Sequence, residues 1–379
     1  MSEPRAVDQS LSVAIDATSL LGQQTGVGIF TRELLGALAL RDDLDLSAFA
    51  VSWRTRQHLA SMVPPGVSTE QRAMPARPLH AAWSRVDFPK AESFLGAVDV
   101  LHGTNFTVPP SATAGRVVTV HDLTCVRYPE LCQPATLRYP RLIARALRRG
   151  AIVHTPTVFI AEEVREHFKA PRESVVAVHS GVPSLPAADP TALREGIDLS
   201  RPYVLAVGTA EPRKDLPGLV AAFSAVATAL PDLQLILAGP PGWGSEALEQ
   251  AIAASTARDS IVTTGYVDGP ALAALLERAS VLAYPSIYEG FGFPPLQAMA
   301  AGVPVVVTRA GALVETVGDA CLSVSIGDVD GLAAAIIAAV SDEAVRTILT
   351  TAGHARVADF TWDRTAEGLV DVYRRAAAR

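Results

Sequence analysis

Short apolar runs alternate with longer stretches of helical spacing along most of the chain, a pattern typical of open α/β sheets. In the first half, such runs predict strands at Leu11–Ile15, Phe49–Trp53, Val98–Leu101, Arg116–Val120, Ala151–Thr155 and Val175–Val178. Apolar residues at helical spacing predict helices at Ile29–Leu40 and Arg141–Arg149. Most strands run into polar residues at their carboxyl ends, where open α/β sheets bind their ligands.

A second α/β series follows a proline-rich segment without periodicity, residues 182–202, which we interpret as a linker. The predicted strands of this series are Tyr203–Val207, Leu233–Leu237, Ser260–Thr264, Val281–Tyr284, Val303–Thr308 and Ala320–Val324. The predicted helices are Leu216–Leu230, Ser245–Ala257, Gly269–Arg278 and Pro294–Ala301. The sequence therefore predicts the α/β fold class, with two mostly parallel sheets in domains 1–183 and 184–360. An amphipathic helix is predicted in residues 361–379.

Composition narrows the functional classes. A chain of 379 residues is too long for one ordinary core, and its 49% hydrophobic and 19% charged residues suit a packed globular protein. The net charge of −7 argues against a nucleic-acid partner. No run reaches the about 18 apolar residues of a membrane span, and the N-terminus lacks the pattern of a signal peptide. The three cysteines form no zinc-spaced cluster, so we expect a reduced, cytoplasmic protein.

Residues 284–311 are the most informative stretch of the sequence. The strand ending at Tyr284 is followed by Glu289, Gly290 and Gly292, and a helical pattern begins near Pro294. A strand, a glycine loop and a helix start are the arrangement in which backbone N–H groups bind an anion. Glycines could also serve only to permit a tight turn, but the whole string favours a ligand site.

Two cations stand at the equivalent place in the first strand–helix unit of the second half. Arg213 and Lys214 end the loop that starts at Gly208 and directly precede a helical segment. Arg can chelate two oxygens and Lys supplies a mobile point charge, which suits a diphosphate, although a solvated loop explains the pair equally well. Asp215 is predicted to cap the following helix.

The first half carries weaker signals. His121 follows a strand, although a lone histidine is more often structural than catalytic. Gly26 and Gly28 open the first helix and would let the backbone approach a phosphate or a sugar. Asp16 either caps that loop or contacts a ligand, and the sequence does not decide between the two.

Together these segments resemble the retaining glycosyltransferases of GT-B fold, family 4 (glycosyl transferases group 1), with mannosyltransferases of polysaccharide assembly most similar. That family has a Glu, seven residues and a second Glu around a Gly-Phe-Gly loop. Glu289 matches the first position, whereas the second position holds Gln297. The resemblance implies two Rossmann-like domains facing across a cleft, with the C-terminal helix packing back on the first domain.

The resemblance also assigns roles in the second domain. Glu289 would contact the transferred sugar, and Arg213 and Lys214 would grip the donor diphosphate. Gln297 would bind the ribose hydroxyls, at a cost of about 1 kcal/mol relative to a carboxylate. The backbone N–H groups of the glycine loop would meet the phosphates or the donor sugar; they belong to Phe291, Gly292 and Phe293.

In the first domain, the resemblance places His121 beside the donor sugar as a catalytic residue, and Gly26 and Gly28 beside the phosphates and the acceptor. The arginines between Arg138 and Arg149 would form a basic face for anionic lipid headgroups, unless they are simply a solvated face. Arg141, Arg145 and Arg148 share one helix face by their spacing. A peripheral contact with the inner membrane face therefore stays open.

The implied reaction is retaining transfer of a sugar, with GDP-mannose as the first choice of donor, to a hydroxyl of a glycan or a lipid-linked acceptor. No cofactor is expected, and no metal ion, because the two cations Arg213 and Lys214 could neutralise the diphosphate. A non-catalytic nucleotide-sugar-binding scaffold is one alternative, supported by Gln297. A sugar-nucleotide epimerase on the same fold is the other, but no suitable set of acid and base side chains is evident.

Overall fold

The computed structural model describes residues 10–53, 55–70, 72–193 and 197–379. The chain divides into two compact units. The first unit comprises Met1–Val126, Pro134–Gly181 and Thr361–Arg379, and the second comprises Arg127–Gln133 and Val182–Phe360. The short segment Arg127–Gln133, which the sequence places in the first domain, thus groups with the second unit. The indole N–H of Trp243 donates to the carbonyl oxygen of Leu131 over 3.0 Å, which ties this segment there.

The first unit contains a seven-stranded parallel sheet in the order β3-β2-β1-β4-β5-β6-β7. Its strands are β1 Leu11–Asp16, β2 Leu44–Phe49, β3 Ser68–Thr69, β4 Val100–Gly103, β5 Gly115–Thr119, β6 Ile152–Thr155 and β7 Val175–Ala177. The helices up to the end of this sheet are α1 Gly26–Leu38, α2 Ala76–Trp83, α3 Glu92–Leu95, α4 Thr124–Arg127, α5 Tyr139–Arg148 and α6 Val158–Phe168.

The second unit has a six-stranded parallel sheet in the order β10-β9-β8-β11-β12-β13. Its strands are β8 Tyr203–Val207, β9 Gln234–Ala238, β10 Ile261–Gly265, β11 Val281–Tyr284, β12 Val305–Thr308 and β13 Leu322–Val324. Its helices are α7 Leu216–Ala229, α8 Ser245–Ala254, α9 Gly269–Arg278, α10 Phe293–Ala300, α11 Leu313–Val317, α12 Val329–Ser341 and α13 Glu343–Val357. The last helix, α14 Trp362–Ala377, belongs to the first unit.

Helices cover both faces of the second sheet, which explains its continuous apolar strands. Along β8, Tyr203 and Leu205 face one buried cluster, and Val204 and Ala206 face another, because successive side chains of a strand point to opposite faces. Two consecutive, mostly parallel sheets are the architecture that the sequence predicts, and this prediction is confirmed.

The predicted bounds of individual strands and helices agree with the observed bounds to different degrees. The predicted bounds of β8, β11 and α9 are those of the structure. The strand predicted at Phe49–Trp53 is wrong in its position, because the pairing of β2 with β1 begins at Leu44 and ends at Phe49. Ala50 and Val51 are buried beyond the end of the strand, so their apolar character reflects burial and not strand structure.

The C-terminal helix α14 packs directly on the first sheet. A Cβ atom at Gly115, where β5 begins, would lie 2.2 Å from the carbonyl oxygen of Ala376 in α14. Leu369, Val370 and Tyr373, the apolar residues at helical spacing, are buried. The predicted contact of this helix with the first domain is confirmed.

A chain of buried hydrogen bonds fixes α14 to three strands. Tyr373 Oη lies 2.7 Å from His102 Nδ1, and His102 Nε2 lies 2.8 Å from Thr119 Oγ1. Thr119 Oγ1 lies 2.9 Å from His154 Nδ1, and His154 Nε2 lies 3.1 Å from the carbonyl oxygen of Val178. A carbonyl oxygen only accepts, so every hydrogen in the chain points from Tyr373 towards Val178, and both histidines are neutral Nε2–H tautomers.

The free energy of unfolding is expected to fall as the pH is lowered from about 6.5 to about 4. Burial lowers the pKa of His154 to about 4 and lowers the pKa of His102 well below its ordinary value. The unfolded chain binds protons on these histidines near pH 6.5 and the folded chain does not, so each such histidine removes about 1.4 kcal/mol per pH unit below that pH.

Denaturant titrations between pH 4.5 and 7.5 test this prediction. His154→Gln is expected to flatten the pH dependence, whereas His167→Gln, at an exposed site on α6, leaves it unchanged. Equal slopes for wild type and His154→Gln would contradict the assignment.

Candidate functional site

In the second unit, the order of the sheet changes direction between β8 and β11, and the two strongest sequence motifs follow these two strands. Such a switch point is where open α/β sheets bind ligands. The loops make direct contact. The N–H of Ile287 donates to the carbonyl oxygen of Arg213 over 2.8 Å, and Arg213 Nη1 donates to the carbonyl oxygen of Tyr288 over 2.9 Å. The structure thus joins two motifs that lie about 75 residues apart in the sequence.

Glu289 is the centre of this cluster and is only 6% exposed. Three donors converge on its Oε1 atom: Lys214 Nζ at 2.6 Å, Arg213 Nη1 at 2.8 Å and Ser286 Oγ at 2.8 Å. No described residue donates to Oε2. The carboxylate is therefore held through one oxygen, and the other is left to accept a hydrogen bond from a ligand.

A second carboxylate completes the cluster. Glu211 Oε1 accepts from Arg213 Nη2 over 2.7 Å, so two cations face two carboxylates. The sequence motif suggested a bare cationic pair, Arg213 and Lys214, and gave none of the three ion pairs that these side chains form with Glu211 and Glu289. The only sequence signal was a Glu two residues before the Arg, because the pairing of both cations with Glu289 depends on the approach of the two loops.

The charges of the cluster can be assigned. Burial by itself would raise the pKa of Glu289, but the positive charges of Arg213 and Lys214 outweigh it and hold this pKa at about 2. Burial lowers the pKa of Lys214, against the pull of Glu289, and raises the pKa of Tyr284, whose hydroxyl accepts from Lys214 Nζ. Glu289 is therefore ionised at neutral pH.

Backbone geometry holds both loops in place. Asp215 has a left-handed φ of 45° and its side chain accepts from the N–H of Gly218 over 3.2 Å, which confirms its predicted role as a helix cap. Gly311 lies against the Glu289 backbone, where a Cβ atom would be 2.5 Å from the Glu289 carbonyl oxygen. That oxygen accepts from the N–H of Ala312 over 2.9 Å.

The start of α10 has fewer backbone N–H donors than the glycine-loop motif predicts. Gly292 is the N-cap residue, and the helix begins Phe293-Pro294-Pro295. The first N–H groups of a helix have no partner within it, and the two prolines have none to offer. The two prolines therefore reduce the number of backbone donors that this turn can present to an anion.

Gly292→Ala is expected to destabilise the protein by about 1–3 kcal/mol. Gly292 has a φ of 91°, and a Cβ atom there would lie 2.5 Å from Leu313 Cδ2. Thermal unfolding measures the effect. Gly36→Ala, inside α1 with open space around it, is the matched control and is expected to be neutral or slightly stabilising. An equal effect of the two substitutions would contradict the strain argument.

Two further predicted ligand residues lie in or beside α10. Phe291 packs in the core of the second unit, with its ring 5.7 Å from that of Phe360, so only its backbone is placed to reach a ligand. Gln297 is 5% exposed, and no described residue hydrogen-bonds its side-chain amide. That amide is available to a polar ligand group.

His121 follows β5 in the first unit. Its Nε2 donates to the carbonyl oxygen of Thr104 over 2.8 Å, so the neutral ring carries its acceptor at Nδ1. The rings of Phe30 and Phe106 form T-shaped contacts with the imidazole, at centroid distances of 5.0 and 6.2 Å. Burial lowers the pKa of His121. The imidazole is therefore neutral at physiological pH and held in one orientation.

The structure decides between the two roles that the sequence left open for Asp16 in the loop between β1 and α1. Asp16 Oδ1 accepts from the N–H of Thr18 over 2.9 Å, so Asp16 caps the loop. Thr25 precedes α1 without a side-chain cap, which leaves the helix start at Gly26 open. A Cβ atom at Gly28 would lie 3.0 Å from the carbonyl oxygen of Ser19.

The described residues also bear on metal ions and membranes as partners. They contain no cluster of three or more His, Cys, Asp or Glu side chains able to hold a metal ion. Within the same residues, no helix has the length and apolar character needed to cross a membrane.

The two Rossmann-like sheets define the fold class as GT-B, and solved structures agree. Sucrose-phosphate synthase from Thermosynechococcus elongatus is 22% identical, with a TM-score of 0.75 over 97% of this chain and 99% of that chain. HepE from Anabaena, solved in complex with UDP-glucose, is 17% identical, with a TM-score of 0.66 over 97% of this chain and 98% of that chain.

Sequence relatives identify the family. The O-antigen chain mannosyltransferase B of Escherichia coli is 32% identical over 282 residues, which cover 73% of this chain and 74% of that protein. The MMP α-(1→4)-mannosyltransferase of Mycolicibacterium hassiacum is 37% identical over 152 residues, 39% of this chain and 36% of that protein. The family model of the glycosyl transferases group 1 matches residues 192–356. The chain belongs to this family and is a glycosyltransferase, as the sequence motifs predicted.

Proposed function

We propose that this chain transfers a mannosyl group from GDP-mannose to a hydroxyl of a glycan or lipid-linked acceptor, with retention of configuration at the reacting carbon. The observation that carries the proposal is the buried carboxylate of Glu289, held through Oε1 by Arg213 and Lys214 with Oε2 available. The names of the two mannosyltransferase relatives support the choice of sugar.

Lys214 supplies a contact for the donor diphosphate. Its ammonium group has three hydrogens, and the hydroxyl of Tyr284 and Oε1 of Glu289 take two of them. The third is available for a phosphate oxygen. The leaving nucleoside diphosphate gains negative charge as the sugar departs, and a positive group already in place stabilises that charge.

Glu289 acts on the sugar side of the broken bond. Its Oε2 accepts a hydrogen bond from the transferred sugar and places negative charge near the reacting carbon, where positive charge develops. The acceptor hydroxyl attacks the same face of that carbon, and its proton passes to the departing diphosphate. Gln297 binds the ribose hydroxyls through its unpaired amide.

The donor is tested by thermal unfolding with GDP, UDP, GDP-mannose and UDP-glucose. A ligand at 100 times its dissociation constant adds about 2.7 kcal/mol of stability. We expect the largest shift with GDP-mannose, followed by transfer to oligomannose acceptors, with an α-linked product by NMR. A β-linked mannoside would exclude retention, and no shift with any nucleotide would favour the scaffold alternative.

His121→Ala is expected to lower kcat by about 10- to 100-fold, because a sugar held without its orienting contact reaches the reactive geometry less often. Nucleotide affinity should stay unchanged, since Lys214 and Gln297, the proposed side-chain contacts to the nucleotide, lie in the second unit. His167→Ala, at an exposed site, is the control. Near-normal turnover of His121→Ala would remove His121 from the mechanism.

A further inference from the structure

The first unit contains a cavity of about 760 Å³ that the proposed transfer chemistry does not use. Residues of α2, of α5 and of the segment Thr107–Pro110 line it. The volume lies within the roughly 300–1,000 Å³ typical of sites for small organic molecules.

The lining of this cavity is strongly basic. It includes seven arginines and a single carboxylate, Asp87. Arg145 and Arg149 hold that carboxylate, with 2.8 Å between the nearest atoms in each pair. Arg116 donates to the carbonyl oxygen of Arg149. One aspartate therefore serves two of the guanidinium groups and leaves most of the positive charge uncompensated.

Five of the seven arginines have no ion pair with any described acidic residue. Two of these five, Arg85 and Arg116, donate to backbone carbonyl oxygens instead, and three make neither contact. They are Arg77 at the start of α2, Arg138 just before α5, and Arg141 on α5. Like charges repel, so collecting them costs free energy unless an anion joins them. The chain as a whole has a net charge of −7, so this cluster is not part of a generally basic surface.

The helix spacing alone did not define this set. It grouped Arg148 with Arg141 and Arg145, whereas the cavity is lined by Arg149 and not by Arg148. The apolar part of the wall, which includes Trp83, Val108 and Leu142, gives an organic ligand a surface to pack on.

We infer that this cavity binds a phosphate or diphosphate group carried by an organic molecule. Guanidinium groups match phosphate oxygens in pairs, which makes arginine the preferred side chain for such recognition. We further assign this molecule as the acceptor of the transfer, and this second assignment rests on the proposed function.

The position of His121 supports the link to the acceptor. Phe106 contacts His121 and stacks on Tyr139 with a centroid distance of 4.4 Å and an interplanar angle of 6°. The chain neighbours of these two rings, Thr107 and Arg138, line the cavity. The stacked rings of Phe106 and Tyr139 thus connect the wall of the cavity to His121, which places an acceptor held by the arginines near this histidine.

The same phosphate chemistry has two sources, a soluble phosphorylated glycan and a lipid-linked phosphate. Exposed apolar side chains flank the cavity residues. Phe88 is 71% exposed next to Asp87, and Leu137 is 44% exposed next to Arg138. The experiment separates the two sources.

Pyrophosphate binding by calorimetry is the first arm. The double variant Arg138→Gln/Arg141→Gln is expected to bind pyrophosphate at the cavity at least about tenfold more weakly than the wild type. The reason is that each charge-assisted hydrogen bond contributes measurably to the affinity. Arg148→Gln, on the same helix but outside the lining, should bind as the wild type does. Repeating all titrations in a Lys214→Met background removes the contribution of the Glu289 cluster. Equal affinity for the double variant and Arg148→Gln would overturn the inference.

Vesicles of phosphatidylglycerol, with phosphatidylcholine as reference, form the second arm. Loss of both pyrophosphate and phosphatidylglycerol binding in the double variant assigns the site to a lipid-linked phosphate, and loss of pyrophosphate binding alone assigns it to a soluble one. Unchanged binding of both pyrophosphate and phosphatidylglycerol in the double variant would overturn the proposed site.

The acceptor assignment predicts that the double variant has a raised KM for a phosphorylated acceptor and an unchanged affinity for the donor. Absent transfer by the wild type would instead refute the proposed function and leave the phosphate site standing.

Discussion

Replacing Glu289 by glutamine is expected to lower kcat by about 100- to 1,000-fold, the usual effect of losing one electrostatic contact that is strongest in the transition state. Glutamine fills the same volume and can accept the hydrogen bonds that reach Oε1. It lacks the negative charge that the proposed mechanism places near the reacting carbon. Initial rates with GDP-mannose measure the effect.

The same substitution has a separate effect on stability. Removing one partner of a buried ion pair typically costs roughly 3–5 kcal/mol, and here Arg213 and Lys214 both lose the charge of Glu289. Because the pKa of Glu289 is depressed to about 2, its stabilising effect is present above its ordinary pKa and is lost as the pH falls from about 4.5 to 2. Glu289→Gln should remove this part of the acid sensitivity.

Two further variants separate fold from chemistry. Glu289→Asp keeps the charge but withdraws it by one methylene, and it should retain more stability than activity. Glu249→Gln, exposed on α8, is the matched control and should leave both unchanged. If the folded Glu289→Gln protein turns over at the wild-type rate, Glu289 has no part in the chemistry.

Lys214→Met is expected to weaken the binding of a nucleoside diphosphate by about 10- to 100-fold, through loss of one charge-assisted hydrogen bond and its long-range attraction. Methionine preserves the unbranched stem that packs beside Gly208, where a Cβ atom would lie 3.3 Å from Lys214 Cε. The loss should therefore reflect charge more than packing.

Comparison of GDP with GMP isolates this contact. The affinity for GDP should fall much more than that for GMP, because the ammonium group is assigned to the diphosphate. Lys169→Met, at an exposed site, controls for the loss of one positive charge. Equal losses for GMP and GDP would mean that Lys214 supports the pocket as a whole and does not bind the diphosphate.

The sequence by itself determined the fold class and the family, and it marked the candidate site residues. Strands that are covered on both faces appear in the sequence as short continuous apolar runs. The bounds of β8 and β11 could therefore be predicted from these runs alone. The Glu289 and Arg213-Lys214 motifs follow these strands within a few residues. Patterns of this kind lie within short stretches of sequence, so they can be recognised without knowledge of the tertiary structure.

Only the tertiary structure decided how these groups pair. The convergence of two cations on one oxygen of Glu289, the burial of Phe291 and the hydrogen-bond chain from Tyr373 to Val178 join residues remote in sequence. The same holds for the arginine cavity, which residues of α2 and α5 line together and which includes Arg149 in its wall, whereas helical spacing had selected Arg148. Ion pairs and hydrogen bonds act over about 3 Å, so they depend on side-chain positions that only the packed sheets and helices fix.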